Sequence, residues 1–319
     1  MLFTKASDAM SAPNRRLFLG GSDAPKVLGV SDWGTPLDLW REKTGRKVVE
    51  IDEARQKRFA RGHKLEPFIR EMTIEKLREL GHDVKLVGKN RRHTDPVLRF
   101  LRAEIDFELE LDGVLTNVDA KSVGGTARAK WGSEGTDEIP IDYLAQFMHG
   151  LGVTGRQTCI AAALRSFDDV ELFYVQRDEE TIEAMRSKMS VFWREHVKKE
   201  VPPDPITFAD VRELFPKSTP RGVEASDEVI AYVDELKQVR ERIKMLQSRE
   251  LALKFEIARF MGDAAVITKG PRDLVSWEEE GRQQIDFSAF RREHPDWAAL
   301  FTKTHTSRVL RLKSRNSRA

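Results

Sequence analysis

Asp106 and Asp119 stand with twelve residues between them, and Lys121 follows two positions after the second. The segment that holds them, LRAEIDFELELDGVLTNVDAKSVGG from Leu101 to Gly125, otherwise reads as a strand hairpin turning at Asp112-Gly113. A carboxylate among apolar strand residues is costly to bury unless it is paired or neutralised. Two at one end of a hairpin repel each other unless one is protonated or a cation lies between them. Oxygen-only donors suit a hard divalent ion such as Mg2+, with Mn2+ as a substitute, which keeps several waters and takes phosphate oxygens. Such an ion acidifies water and polarises a phosphoryl group, and a neighbouring ammonium orients the water or offsets charge on phosphorus. The chemistry is that of a phosphodiesterase centre. Spacing alone favours a plainer alternative, a solvated hairpin with surface ion pairs, because a chain with 52 acidic residues meets so loose a pattern by chance.

The hairpin needs elements to hold it. Strict alternation puts Leu101, Ala103 and Ile105 on one face of the first strand and Glu104, Asp106 and Glu108 on the other. Further strands are expected at 84–87, 99–109 and 113–123, and at the apolar runs CIAAALRS and VELFYVQR. Helical periodicity covers 54–80, where Phe59, Leu65, Phe68, Ile69, Met72, Leu77 and Leu80 fall near one face, with a kink or a new start expected at Pro67. IPIDYLAQFMHGLGVTG and EETIEAMRSKMSVFWREHVKKEV read as two more helices. PPDP at 202–205 closes this block, which sets a core at 1–205 and a linker at 206–223. Residues 224–262 carry a sustained heptad, suited to a helix packed on its own chain or to a coiled coil with another. Residues 263–319 read as a small α+β extension with a basic tail.

Composition sets limits. The 319 residues are 40% hydrophobic and 33% charged, enough for a packed core with a soluble surface. Cys159 is the only cysteine, which excludes a disulfide framework and a cysteine zinc site within one chain. The net charge of +2 says little, but TSRVLRLKSRNSRA, from Thr306 onward, has five basic residues and no acid. That suits either a nucleic-acid contact or a solvated terminus. With no apolar run for a signal peptide or membrane span, a cytoplasmic location is expected.

Four stretches in order share one likeness: LGGSDAPKVLGVSDWGTPLDLWREKTG, RGHKLEP, the hairpin LRAEIDFELELDGVLTNVDAKS, and IPIDYLAQFMHGLGVTG with Tyr143 and Gln146 as Tyr-x-x-Gln. Together they resemble the YqaJ-type viral recombinase family, phage nucleases similar to lambda exonuclease within the PD-(D/E)xK superfamily. The resemblance implies an α/β fold, a restriction-endonuclease-like mixed sheet flanked by helices. It implies Asp106, Asp119 and the Ala120 carbonyl as Mg2+ ligands, and Glu66 as holding or orienting a second metal. Lys121 would be the catalytic lysine and Gln146 its positioning partner. Arg15 and Ser22 would meet a terminal phosphate, with Arg128, Lys130 and Tyr143 also against DNA. The substrate would be a double-stranded DNA end, resected to expose single-stranded DNA, in the host cytoplasm if the protein is phage-encoded. The implied partners are a single-strand annealing protein and further copies of the chain. Many family members have Glu where this chain has Asp119, one methylene longer, which bears on metal spacing. Two other readings stay open: a structure-specific or nicking endonuclease on the same core, and a non-catalytic DNA-binding or assembly protein.

Overall fold

The computed structural model describes residues 15–46, 53–166, 169–304 and 306–313. The expected side-chain role of Phe59 and the last basic residues, 314–319, lie outside what is described. The chain divides into two compact units, the first ending at Leu214 and the second beginning at Phe215.

Five strands form the sheet of the first unit in the order β1 (Val84–Thr94), β2 (Arg102–Leu111), β3 (Val114–Ser122), β4 (Thr158–Leu164) and β5 (Val170–Gln176). All neighbours are antiparallel except β3 and β4, which are parallel. The turn between β2 and β3 is the one expected: Asp112 and Gly113 both have positive φ, 50° and 82°, and Leu111 pairs with Val114. Two central residues in that region give a tight hairpin whose twist matches its strands. The parallel step from β3 to β4 needs a crossover, supplied by α4 (Ile141–Thr154). Before it in the chain come α1 (Ala24–Leu28), α2 (Pro36–Lys43) and α3 (Glu53–Glu79).

The sheet is covered on both faces. One core cluster joins Ala103, Ile105, Cys159, Ala161 and Ala163 to α4; the other joins Phe107, Val118, Ile160 and Ala162 to Ile69 and Leu77 of α3. The small residues of β4 alternate between the two clusters, so helices approach the sheet closely from either side. Helix α3 runs through Pro67 from Glu53 to Glu79, so no new helix starts there. Packing of its apolar stripe on the sheet outweighs the lost backbone donor, as tertiary contacts generally outweigh local propensity.

Three further expectations are corrected. β1 extends to Thr94, past the short apolar run at 84–87, because its polar second half pairs with β2 as an edge strand. Alternation along β2 fails at Asp106: Ile105 lies in the α4 cluster and Phe107, two residues on, in the α3 cluster. Glu108, expected on one face with Glu104 and Asp106, is fully buried. Finally, the segment read as linker contains α6 (Phe208–Leu214), which follows α5 (Glu179–Val191). Asp210 accepts from the N–H groups of Ile206 and Thr207 at 3.1 Å and from Thr35 Oγ1 at 2.8 Å, tying this helix to the first unit.

The second unit contains the long helix α7 (Asp227–Met261), a two-stranded sheet of β6 (Val266–Lys269) and β7 (Arg272–Ser276), and the short helices α8 (Phe287–Glu293) and α9 (Pro295–Phe301). Among the described residues no helix is long and apolar enough to cross a membrane.

Candidate active site

The change of face along β2 builds the site. Pairing between β2 and β3 begins at Phe107 and Val118, so Asp106 sits just where the two strands part. Its Oδ2 accepts the Ala120 backbone N–H at 2.9 Å. Asp119 lies beside it on β3, almost fully buried, with Lys121 against its Oδ1. From α4, Gln146 Nε2 donates to Asp119 Oδ2 at 3.1 Å. The Lys121 ammonium also stands 4.9 Å from the centre of the Tyr143 ring and 5.5 Å from that of Phe147. Burial pushes the Asp106 carboxyl up to about 8; Asp119 and, less strongly, Glu66 push the same way, against Lys121 and the Ala120 N–H. Burial alone would lower Lys121, but Asp119 and Asp106 outweigh it and hold the ammonium above its ordinary range. Glu66, on α3, is partly buried, and its Oε1 lies 2.9 Å from His63 Nδ1.

Asp106, Asp119, Ala120, Lys121, Gln146 and Tyr143 therefore converge, while Glu66 acts on them only through its charge on Asp106. Among the described residues no group of three or more His, Cys, Asp and Glu side chains is arranged to hold a metal ion unaided. The donors present still fit one. Asp119 raises the proton affinity of Asp106, a repulsion that a cation between them would relieve, and Asp119 Oδ1 is buried with no aligned hydrogen bond beside its Lys121 ion pair. Mg2+ makes up its octahedron largely with water and phosphate oxygens, so a two-carboxylate set suffices.

A second cluster lies at the chain start. Leu19 bridges to Leu101 next to β2, with Leu19 N–H donating to the Phe100 carbonyl at 2.7 Å. This fixes the loop that carries Ser22, whose Oγ accepts from Arg15 at 3.0 Å. Gly21 lets the loop meet α4, since a Cβ there would lie 3.2 Å from Gln146 Cγ. Asp23 is buried, bonded to the Gly20 N–H at 2.9 Å and to Lys43 Nζ at 2.6 Å. The expected pair Arg15 and Ser22 is thus together. Arg128 is exposed on the turn 125–130, and the exposed Lys130 pairs with Asp32 at 2.6 Å.

Burial would raise the Asp23 carboxyl, but Lys43 and then Arg15 outweigh it and hold it below the ordinary carboxylate range. A depressed carboxyl contributes stability that is complete above its unfolded value and lost as pH falls through the folded one. Thermal melts should therefore show Asp23→Asn less stable than wild type near neutrality, with the gap closing below about pH 4. A gap independent of pH would contradict this charge account.

Sequence reading missed Lys43, Asn117 and Arg156. Lys43 is 20 residues from its partner, and no local spacing signals such a pair. Arg156 reaches Asn117 Oδ1 at 2.6 Å and Glu108 Oε1 at 2.8 Å. Only the burial of Glu108, itself hidden by the β2 irregularity, could have pointed to it.

All of these site residues fall within 12–157, the span that matches the family model described as a YqaJ-like viral recombinase domain. The protein YqaJ of Bacillus subtilis strain 168 is 27% identical over 303 residues, which cover 92% of this chain and 91% of its own. The chain also matches a solved alkaline exonuclease from Laribacter hongkongensis, at 17% identity and a TM-score of 0.43, over 60% of this chain and 93% of that one. A phage-related exonuclease from Haemophilus somnus 129PT matches at 14% identity and a TM-score of 0.38, over 57% and 94%.

Proposed function

We propose that the protein is a Mg2+-dependent deoxyribonuclease that resects duplex DNA ends. One observation carries the reading: the Ala120 N–H holds Asp106 against Asp119 and Lys121 at the fork between β2 and β3, within a YqaJ-like domain. Asp106 and Asp119, with the Ala120 carbonyl, would hold the ion, and Glu66 would hold or orient a second one through water. A bound Mg2+ supplies Lewis acidity toward the phosphoryl group and lowers the pKa of water. Lys121, kept protonated by its two acidic neighbours, acts as a donor that offsets charge on phosphorus and not as the base. Gln146 fixes the Asp119 carboxylate, and the Tyr143 ring backs the lysine.

At the loop before α1, Arg15 and Ser22 would take the terminal phosphate of a DNA end, which favours end resection over internal cutting. Arg128 and Lys130 would add backbone contacts, so binding should weaken steeply with salt. On this reading the products pass to a single-strand annealing protein in the cytoplasm.

The test compares linear duplex with covalently closed circular duplex, each with Mg2+, following product lengths over time. Progressive shortening of the linear substrate alone is expected. Cutting of both forms would replace the exonuclease by an endonuclease, and cutting of neither would leave a DNA-binding scaffold.

A further inference from the structure

Lys121 leaves β3 toward α4, where two rings receive it. Tyr143 and Phe147 stand one helical turn apart, with ring centres 6.3 Å from each other and planes 13° from parallel. The Lys121 ammonium lies 4.9 Å from the centre of the first ring and 5.5 Å from that of the second. Both distances fall inside the limit of about 6 Å at which a cation is drawn to a ring face.

Phe147 is 2% exposed and belongs to the cluster that packs α4 on the sheet. A leucine would fill a core position of that kind too, but it offers no negative ring face. Phe147 also borders the reacting groups: with Asp119 and Gln146 it lines the cavity behind the fork between β2 and β3. Lys121 has few other holds. The oxygen it pairs with, Asp119 Oδ1, belongs to a carboxylate that the metal ion also requires. An ammonium has three N–H donors and no acceptor. A ring attracts the charge without needing an aligned N–H, so it steadies the lysine while leaving donors for a phosphate oxygen. The Lys121 side chain is only 16% exposed, and shielding from water strengthens that attraction.

We propose that Phe147 is a positioning residue: with Tyr143, its ring seats the Lys121 ammonium beside Asp119 with N–H groups free for the phosphate. The role rests on the nuclease reading, which assigns Lys121 to the phosphate; the ring contact itself does not.

The test replaces Phe147 in the full chain by 4-fluoro-, 3,5-difluoro- and 3,4,5-trifluorophenylalanine, introduced at a suppressed stop codon. Fluorine keeps the shape and drains the ring face in steps. Single-turnover cleavage at saturating duplex should slow with each step, by about tenfold in all, with KM for DNA and Tm unchanged. Phe147→Leu should slow it at least as much. A second readout needs neither metal nor DNA. In protein carrying 13C-labelled lysine, the Lys121 CεH2 signal, assigned by its loss in Lys121→Arg, should be ring-shifted upfield and move back in Phe147→Leu. A cleavage rate indifferent to fluorination, or a Lys121 signal unmoved by Phe147→Leu, overturns the proposal while wild type still cleaves. A wild type that cleaves no DNA instead removes the nuclease reading and this role with it.

Discussion

Asp119→Ala and Lys121→Ala should each lower the rate of Mg2+-dependent duplex cleavage by at least about a thousandfold, with the fold retained. The two residues act at the reacting phosphate from opposite charge: one holds the cation, the other offsets developing negative charge directly. Neither supports the two hydrophobic clusters that hold the sheet between α3 and α4. Gln146→Ala should cost far less, about tenfold to a hundredfold, because Gln146 only orients Asp119 through one 3.1 Å hydrogen bond. The readout is single-turnover cleavage beside far-ultraviolet circular dichroism. Full activity in either of the first two variants removes the assigned site; an unfolded protein in both would show that the charges are structural.

Arg156→Ala should cost about 3 kcal/mol of stability, which for a unit of this size lowers Tm by roughly 8 °C. Glu108 is fully buried on β2, and Arg156 is its best-shielded partner at 2.8 Å, with His93 Nε2 at 2.6 Å on the other side. Removing the guanidinium leaves a buried carboxylate oxygen with fewer donors, and Glu108 Oε2 already has no aligned hydrogen bond. Arg91, half-exposed at 3.3 Å, is the control: Arg91→Ala should cost under about 1 kcal/mol. Arg156 also holds Asn117, two residues before Asp119, so its loss should loosen the catalytic strand. Equal melting temperatures for Arg156→Ala and wild type would mean that the network contributes nothing.

How far the sequence reveals this molecule follows from which contacts are local. The hairpin turn at Asp112-Gly113, the strands around it and helix α4 are legible because period and turn chemistry act over a few residues. Asp106, Asp119 and Lys121 could be grouped because one hairpin brings them together. The resemblance was needed to add Glu66, Gln146, Arg15 and Ser22 from three other segments. What stayed hidden depends on departures from regularity or on distant partners. The switch of face at Asp106 turned Glu108 inward, and the Thr35–Asp210 bond brought α6 into the first unit across 175 residues. Pro67 starts no new helix because burial against the sheet outweighs a local rule.

The central claim is that Asp106 and Asp119 together grip a divalent ion that the reaction requires. Mn2+ binding followed by electron paramagnetic resonance, on wild type and on Asp119→Ala, tests it most directly. The account predicts saturable binding to wild type, competed by Mg2+, loss of that binding in the variant, and no cleavage by wild type in EDTA. Undiminished Mn2+ binding by Asp119→Ala, or cleavage that persists in the chelator, would contradict it.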